Sequence, residues 1–297
     1  MTEVRHLRAV PPAAELYARA LAGAVLPDAV WGGSKALPDQ QLELWDVRVD
    51  AAAVDRYAEL TGFPPDQAVP ATYPSLLGFG LGLRLMTDRA FPLPALGMVH
   101  VADQITAVRS LRRGETVRVA VSARDLRSHP KGAEVDIVTD VEVHGETVWR
   151  EVSTYLSRGV KLPGLAPGPG PVGVIPEIPS TAQTTRITVP ADAGRRFAAV
   201  SGDRNPIHLH DLTARAFGFR TAIAHGRWTM ARCVAAAPDS PDACTITTRF
   251  RAPVPLPSEC DLATAPDVDG TDIWLSSATS GSLHVYTRVA SPPADGS

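Results

Sequence analysis

Hydrophobic and polar positions predict a definite order of elements in the N-terminal half of this 297-residue chain. Alternating apolar residues predict a half-buried strand at 41–49, and helical spacing predicts a short helix at 51–61 and an apolar, glycine-rich helix at 73–86. Four strand-like runs follow, at 97–109, 115–126, 133–143 and 146–157. Ahead of all these, residues 3–24 predict an amphipathic helix that is broken by two consecutive prolines.

The same order of elements returns in the C-terminal half, after a stretch rich in proline and glycine. A strand is predicted at 183–189, a short helix at 191–201 and an apolar helix at 226–237. Between these two helices, Asp211 is expected to cap a further short helix that runs through Phe217. Four more strand-like runs follow, at 244–251, 259–266, 271–279 and 282–289. We therefore predict two domains, 1–162 and 182–297, joined by a semi-rigid linker at 163–181.

A short internal repeat supports this division. The segment YAELTG at 57–62 aligns with FAAVSG at 197–202. The next residue distinguishes the two copies, because Asp203 follows the second segment and Phe63 follows the first. We infer that the first copy has lost chemistry and kept a binding role. Its glycine-rich helix at 73–86 predicts either close backbone packing or a broken helix that faces a ligand.

Polar residues that could act as an acid and a base lie in one predicted loop. Asp203 and His208 are five residues apart around Asn205 and a proline, so both side chains could hold one water molecule. Gly226 begins the predicted apolar helix, where backbone N–H groups have no helical partner and a ligand oxygen can approach closely. An acid/base pair beside such a donor could add water to, or remove it from, an acyl thioester.

The same residues carry a resemblance to a known family. The segment FAAVSGDRNPIHLHDLTARA at 197–216 and the triplet AHG at 224–226 resemble the signature of MaoC-like dehydratases and R-specific enoyl-CoA hydratases. The segment TYPSLLGFGLGLRLMTDRAFPLPALGMVH at 72–100 is similar to mycobacterial 3-hydroxyacyl-thioester dehydratases of the X type. Nearly the whole chain is therefore covered. Arg227 departs from the pattern, since relatives usually have methionine or another apolar residue there.

The resemblance implies an α+β fold of two hot-dog domains in one chain, each a helix wrapped by an antiparallel sheet. It also implies that Asp203 and His208 are catalytic and that the Gly226 amide binds the substrate oxygen. Asn205, Ser201 and His225 are further expected to bind substrate or to hold the loop. The expected substrate is an acyl-CoA or acyl-carrier-protein thioester, with no metal and no redox cofactor, and the glycine-rich helix could make room for a long acyl chain.

Other interpretations of these residues remain open. Asp203 and Asn205 could simply cap a turn. His208 and His210 could form half of a metal site with Asp203 or Asp211. A hot-dog thioesterase or a non-catalytic acyl-thioester binding subunit could use the same scaffold.

Composition narrows the function further. The net charge of −3 and the pI near 6.2 argue against general nucleic-acid binding. Three cysteines without paired spacing indicate reduced thiols and a cytoplasmic protein. The N-terminus carries no signal-peptide pattern, and no window reaches a membrane-spanning length. The resemblance implies an enzyme of fatty-acid metabolism, with a homodimer as a possible assembly. The composition agrees with a protein that has no membrane partner.

Overall fold

The computed structural model describes residues 2–25, 36–65, 68–168, 174–238 and 241–291. Six α-helices lie in the described residues: α1 Ala13–Val25, α2 Ala51–Thr61, α3 Ser75–Met86, α4 Ala193–Ser201, α5 Asp211–Ala216 and α6 Gly226–Val234. The strands of these residues are β1 Glu3–Leu7, β2 Gln40–Arg48, β3 Met98–Ala107, β4 Thr116–His129, β5 Gly132–Val143, β6 Glu146–Arg158, β7 Gln183–Val189, β8 Cys244–Phe250, β9 Ser258–Asp267, β10 Gly270–Ser277 and β11 Leu283–Ala290.

The chain folds into two compact units, and neither is a continuous stretch of sequence. The first comprises Met1–Val47, Ser75–Val101 and Thr116–Val174, and the second comprises Arg48–Pro74, Ala102–Glu115 and Ile175–Ser297. The second unit thus takes α2 from the N-terminal half of the chain. The boundaries of these units differ from those of the predicted domains, 1–162 and 182–297. The predicted binding role of the first domain stays a prediction.

In the first unit, α3 packs on a sheet with the strand order β1-β2-β4-β5-β6. The glycines of α3 allow a close approach, because a Cβ atom on Gly78 would lie 2.5 Å from Thr139 Cγ2 and one on Gly80 would lie 2.4 Å from Val10 Cγ1. The helix is continuous from Ser75 to Met86. Close packing is therefore what these two glycines provide, and a role of the helix in making room for an acyl chain stays a prediction.

In the second unit, α6 packs on a sheet with the strand order β3-β8-β11-β10-β9-β7, in which all neighbours run antiparallel. Met230, Ala231 and Cys233 of α6 are buried against this sheet. Helix α2 packs against both α4 and α6, so these three helices form one group in the second unit.

The internal repeat is visible in the geometry of α2 and α4. Each helix ends at a glycine with a positive φ angle, +84° at Gly62 and +76° at Gly202, whose N–H donates to the carbonyl four residues earlier. The preceding hydroxyls match as well, since Thr61 Oγ1 bonds to Tyr57 O at 2.6 Å and Ser201 Oγ bonds to Phe197 O at 2.8 Å. The two copies therefore share their helix ends and diverge at the next residue.

Three local predictions were wrong. Residues 3–7 form a strand, because they pair in parallel with β2 from Glu3↔Gln40 to Leu7↔Leu44, a partner that local periodicity does not reveal. Asp211 is the first residue of α5 rather than its cap, since its Oδ1 accepts the Ala222 N–H at 2.8 Å. The apolar helix ends at Val234 rather than 237, and a tighter turn follows, in which the Ala237 N–H donates to the Val234 carbonyl.

Part of the predicted linker, residues 169–173, lies outside the described residues. Its described parts are attached to the two units, because Pro167 bridges to Ser128 and the Pro176 carbonyl accepts the Trp274 Nε1–H at 3.0 Å. Helices of the described segments are all too short or too polar to cross a membrane.

Candidate functional site

The loop that follows α4 is held at its start by Ser201. The Ser201 hydroxyl donates to Phe197 O at 2.8 Å and accepts the Asp203 N–H at 3.1 Å. Gly202 between them adopts a left-handed conformation that glycine reaches without strain. Ser201, expected at the substrate, therefore has its hydroxyl hydrogen engaged within the protein and fixes the backbone of Asp203.

Two further side chains shape the rest of the loop. Asp203 Oδ1 accepts the Asn205 N–H at 3.1 Å, and Asn205 Oδ1 caps the following 3-10 turn, Pro206–His208, through the Ile207 N–H at 3.4 Å. Proline suits the first position of such a turn, because its missing N–H would have no partner there. The result is a rigid turn that presents His208.

His208 is held in one tautomer by a backbone carbonyl. Its Nδ1 lies 2.8 Å from Ile223 O, and because a carbonyl only accepts, Nδ1 carries the hydrogen and Nε2 carries a lone pair. Burial lowers the pKa of His208, while the negative charge of Asp203 works in the opposite direction. A neutral imidazole with a basic Nε2 is the consequence.

Ile223 is a site residue that the sequence did not reveal. It contributes only backbone atoms: its carbonyl accepts from His208, and its N–H donates to Ile207 O at 3.1 Å. It is itself held by a bridge to Pro255. Because every residue type has a backbone carbonyl, the identity of residue 223 could not have indicated this role.

His225 lies directly against His208. The two rings stack with their centroids 3.7 Å apart and their planes 26° apart, and His225 Nε2 lies 3.0 Å from the carbonyl oxygen of Asp203. Burial lowers the pKa of His225 to about 3, and the neighbouring His208 ring and the positive charge of Arg227 act in the same direction. His225 is therefore neutral at physiological pH and donates through Nε2, which ties the loop to the start of α6.

The Asp203 carboxylate completes the cluster. Its Oδ2 lies 3.9 Å from His225 Nε2, and one donor atom from each of Asp203, His208 and His225 lies within 4.8 Å of the others. The set does not fit a metal ion well, because the two histidine rings are stacked with centroids 3.7 Å apart and planes only 26° apart. The nitrogen lone pairs of stacked rings do not converge on one point at the ~2.0–2.1 Å distance of a nitrogen ligand. His210 is exposed and caps α5, so it does not join these residues.

Gly226 stands at the first position of α6, with His225 as the cap. The first N–H groups of a helix lack intrahelical partners and carry a partial positive charge, so this end of α6 can polarise an oxygen. Arg227, the departure from the family pattern, adds a positive charge that lowers the pKa of His225.

A second residue that the sequence did not reveal is Gly194 on α4. A Cβ atom there would lie 1.9 Å from the carbonyl oxygen of His208. Only glycine lets α4 and the turn approach so closely. A glycine inside a predicted helix is the signal that could have found it.

Comparison with known proteins places these features in a family context. Residues 175–268 match the family described as MaoC like domain. The chain is 37% identical over 254 residues to 3-hydroxyacyl-thioester dehydratase X of Mycobacterium tuberculosis, a match that covers 85% of this chain and 90% of that protein.

Solved structures agree with this match. The crystal structure of HtdX from Mycobacterium tuberculosis has a TM-score of 0.74 at 33% identity and covers 85% of this chain and 100% of its own. A MaoC-like dehydratase from Phytophthora capsici has a TM-score of 0.68 at 17% identity, over 86% of this chain and 97% of its own, which supports the fold alone. The predicted double hot-dog fold and the family resemblance are thereby confirmed.

Proposed function

The chain belongs to the family of MaoC-like 3-hydroxyacyl-thioester dehydratases, and we propose that its site catalyses the reversible addition of water to a trans-2-enoyl thioester, giving the R-3-hydroxyacyl thioester. This makes the protein a hydro-lyase of fatty-acid metabolism. The observation that carries the proposal is the His208–Ile223 hydrogen bond, because it leaves a buried imidazole with an unprotonated Nε2 beside a carboxylate.

His208 is the group that we assign to the water. Its lowered pKa keeps it neutral, so Nε2 can accept a proton as the water oxygen bonds to C3 of the enoyl group. The stacked His225 ring and the Ile223 carbonyl restrict the rotation of His208. A base held in this way loses little entropy on reaching the transition state.

Asp203 holds the same water from its other side. One carboxylate oxygen accepts the Asn205 N–H, and we assign the second oxygen to the water. The acid/base pair returns one proton to C2 on the same face, so the sum of the steps is one water added across the double bond. In the dehydration direction the same groups remove the C2 proton and protonate the leaving hydroxyl.

The N-terminus of α6 has the third role. As charge develops on the thioester oxygen, the Gly226 N–H and the helix behind it stabilise the enolate. A side chain at position 226 would obstruct the approach of that oxygen, and glycine avoids this. Loss of one such donor typically costs ~10²–10³ in rate.

The carrier and the setting belong to the same proposal. The relative in Mycobacterium tuberculosis is named for a 3-hydroxyacyl thioester, and a CoA or carrier-protein thioester is the corresponding substrate here. The three cysteines are unpaired and buried, which agrees with a reducing, cytoplasmic setting. Assembly as a homodimer and a binding role for the N-terminal copy complete the proposal; Phe63 in place of the acid supports the latter.

A direct assay separates this function from the alternatives. With crotonyl-CoA, the purified chain is expected to reduce the absorbance of the enoyl thioester without releasing free CoA thiol. Thiol release would indicate a thioesterase instead. No change in either signal, with crotonyl-CoA and with longer enoyl-CoA esters, would indicate a non-catalytic binding subunit.

A further inference from the structure

Five exposed arginines lie in the loop that carries Asp203 and His208 and in the segments just before and after it. None of them forms an ion pair with a carboxylate in the part of the chain that the structure describes; they are Arg195, Arg196, Arg204, Arg215 and Arg220. Arginines elsewhere commonly face an acid, as Arg109 does with Glu115 and Arg288 does with Asp267. We call these five residues the arginine surface.

Hydrogen bonds join the elements that carry these arginines to one another and to the turn that bears His208. Arg195 Nη1 donates to Leu209 O at 3.3 Å, which joins α4 to the turn that bears His208. Thr213 Oγ1 donates to Pro206 O at 2.7 Å, which joins α5 to the same turn. Arg215 Nε donates to Arg220 O at 3.1 Å and so lies beside the fifth arginine.

The positive charge of this surface is not offset locally. Residues 192–225 contain five arginines against three aspartates, whereas the whole chain has a net charge of −3. A local cationic field on an acidic protein attracts an anionic partner to this position.

An exposed apolar residue indicates what kind of partner this is. Leu212 on α5 is 78% exposed and lies three residues before Arg215, so both side chains share one face of the helix. The phosphates of a nucleotide would make no use of an exposed leucine. An exposed apolar residue beside arginine is typical of a protein–protein interface.

We propose that the arginine surface docks an acidic carrier protein, which delivers the acyl group as a thioester on a flexible arm. This rests on the proposed function and names the carrier. Complementary charge raises the rate of encounter and sets the orientation, and Leu212 supplies the apolar contact. Because the surface borders the Asp203–His208 loop, a docked carrier would hold its thioester beside the catalytic groups.

The test compares two carriers of one acyl group. The full chain is assayed with the trans-2-octenoyl thioesters of an acidic bacterial acyl carrier protein and of CoA. The variant carries Arg196→Glu and Arg220→Glu, because neither guanidinium makes a hydrogen bond within the described residues. We expect kcat/KM for the carrier-protein thioester to fall about tenfold or more, and that for the CoA thioester to stay within about twofold.

Matched substitutions in the other compact unit serve as the control. Arg124→Glu with Arg158→Glu makes the same change of charge at exposed positions and should leave both substrates unaffected. Equal losses on both thioesters would assign the surface to the phosphates of CoA and overturn the inference, as would no loss on either.

A binding measurement keeps the inference separate from the proposed function. If the wild-type chain hydrated neither thioester, the proposed function would fail, and titration with the acyl-free carrier protein would still test docking. Salt-sensitive binding that disappears in the double variant would support the arginine surface. Absence of binding by the wild-type chain would overturn it.

Discussion

Gly194 and His208 approach each other backbone to backbone, since a methyl group on Gly194 would lie 1.9 Å from the His208 carbonyl oxygen. A carbonyl cannot swing aside as the end of a flexible side chain can. The turn that bears His208 therefore packs directly on the backbone of α4. Its position depends on Gly194, a residue that takes no part in the chemistry.

Substituting alanine for Gly194 should damage catalysis through this contact. The added methyl must push the turn away from α4, and a misplacement of about 1 Å can lower kcat by about 10²-fold. We expect KM to change little, because the substrate-binding surface beyond the turn is retained. Steady-state kinetics on crotonyl-CoA measure both quantities.

Gly82→Ala on α3 is the matched control. A Cβ there would lie 3.5 Å from Ile137 Cγ2, an ordinary contact, and alanine favours a helix by about 1 kcal/mol over glycine. This variant should be as active as the wild type and equally or more stable. Full kcat in Gly194→Ala would show that His208 is not positioned by that contact.

Asp203→Asn and His208→Gln should each fold and lose most turnover. Removal of a general acid or base typically lowers kcat by ~10²–10⁴-fold. Thermal unfolding and kcat on crotonyl-CoA are measured together, with His210→Gln as the control, because His210 is exposed two residues away. Near wild-type turnover in either variant, with normal folding, would remove that residue from the mechanism.

Acid should destabilise the protein through its buried histidines. The pKa of His225 is lowered from 6.5 to about 3. Between pH 6.5 and 3, His225 therefore binds a proton in the unfolded chain but not in the folded protein. The free energy of unfolding should therefore fall as pH drops from 6.5 toward 3, by about 1.4 kcal/mol per pH unit from this group. His208, whose pKa is also lowered, acts in the same direction.

Urea unfolding of the wild type and of His225→Gln between neutral pH and about pH 5 measures this slope. The variant should lose the contribution of His225, since glutamine does not titrate and its amide can still donate to the Asp203 carbonyl. His144→Asn is the control, because His144 is exposed in the turn between β5 and β6 and asparagine tolerates its positive φ. An unchanged slope in His225→Gln would contradict the assignment.

Two side chains of α6 hold the end of α2. Trp228 Nε1 donates to Leu60 O at 3.1 Å, and Arg232 Nη1 donates to Thr61 O at 3.0 Å, so both satisfy carbonyls at the helix end. Arg232→Met keeps the apolar stem and removes the donor, and it should lower the free energy of unfolding by about 1–3 kcal/mol. Arg196→Met, at an exposed position, should stay within about 0.5 kcal/mol. Equal unfolding midpoints in urea for both variants would show that these hydrogen bonds between α6 and α2 do not stabilise the protein.

The sequence predicted what periodicity and motif spacing encode. Helix α2 and strand β7 have the bounds expected from the pattern, and the order of elements is as predicted in both halves. The exception is β1, whose parallel partner lies more than thirty residues away, so that no local signal separates it from a helix. A contact outside the helix likewise explains the position of Asp211, whose carboxylate accepts the Ala222 N–H.

The candidate site was predictable only in part, for a related reason. The spacing of Asp203 and His208 identified the loop, but it could not reveal that the rings of His208 and His225 stack. Nor could it show that the tautomer of His208 depends on the Ile223 carbonyl. Backbone groups and bare glycine surfaces leave no signature in residue type, and these details appear only once the chain is folded.

The hydrogen bonds from Trp228 and Arg232 of α6 to the end of α2 have a practical consequence for the design of shorter fragments of this protein. The stretch that matches the family description begins at residue 175, yet the carbonyls that receive Trp228 and Arg232 lie at Leu60 and Thr61. A C-terminal fragment would expose a tryptophan and leave a half-sheltered guanidinium without its acceptor. The N-terminal half of the chain thus supplies two backbone acceptors that an excised C-terminal half would lack.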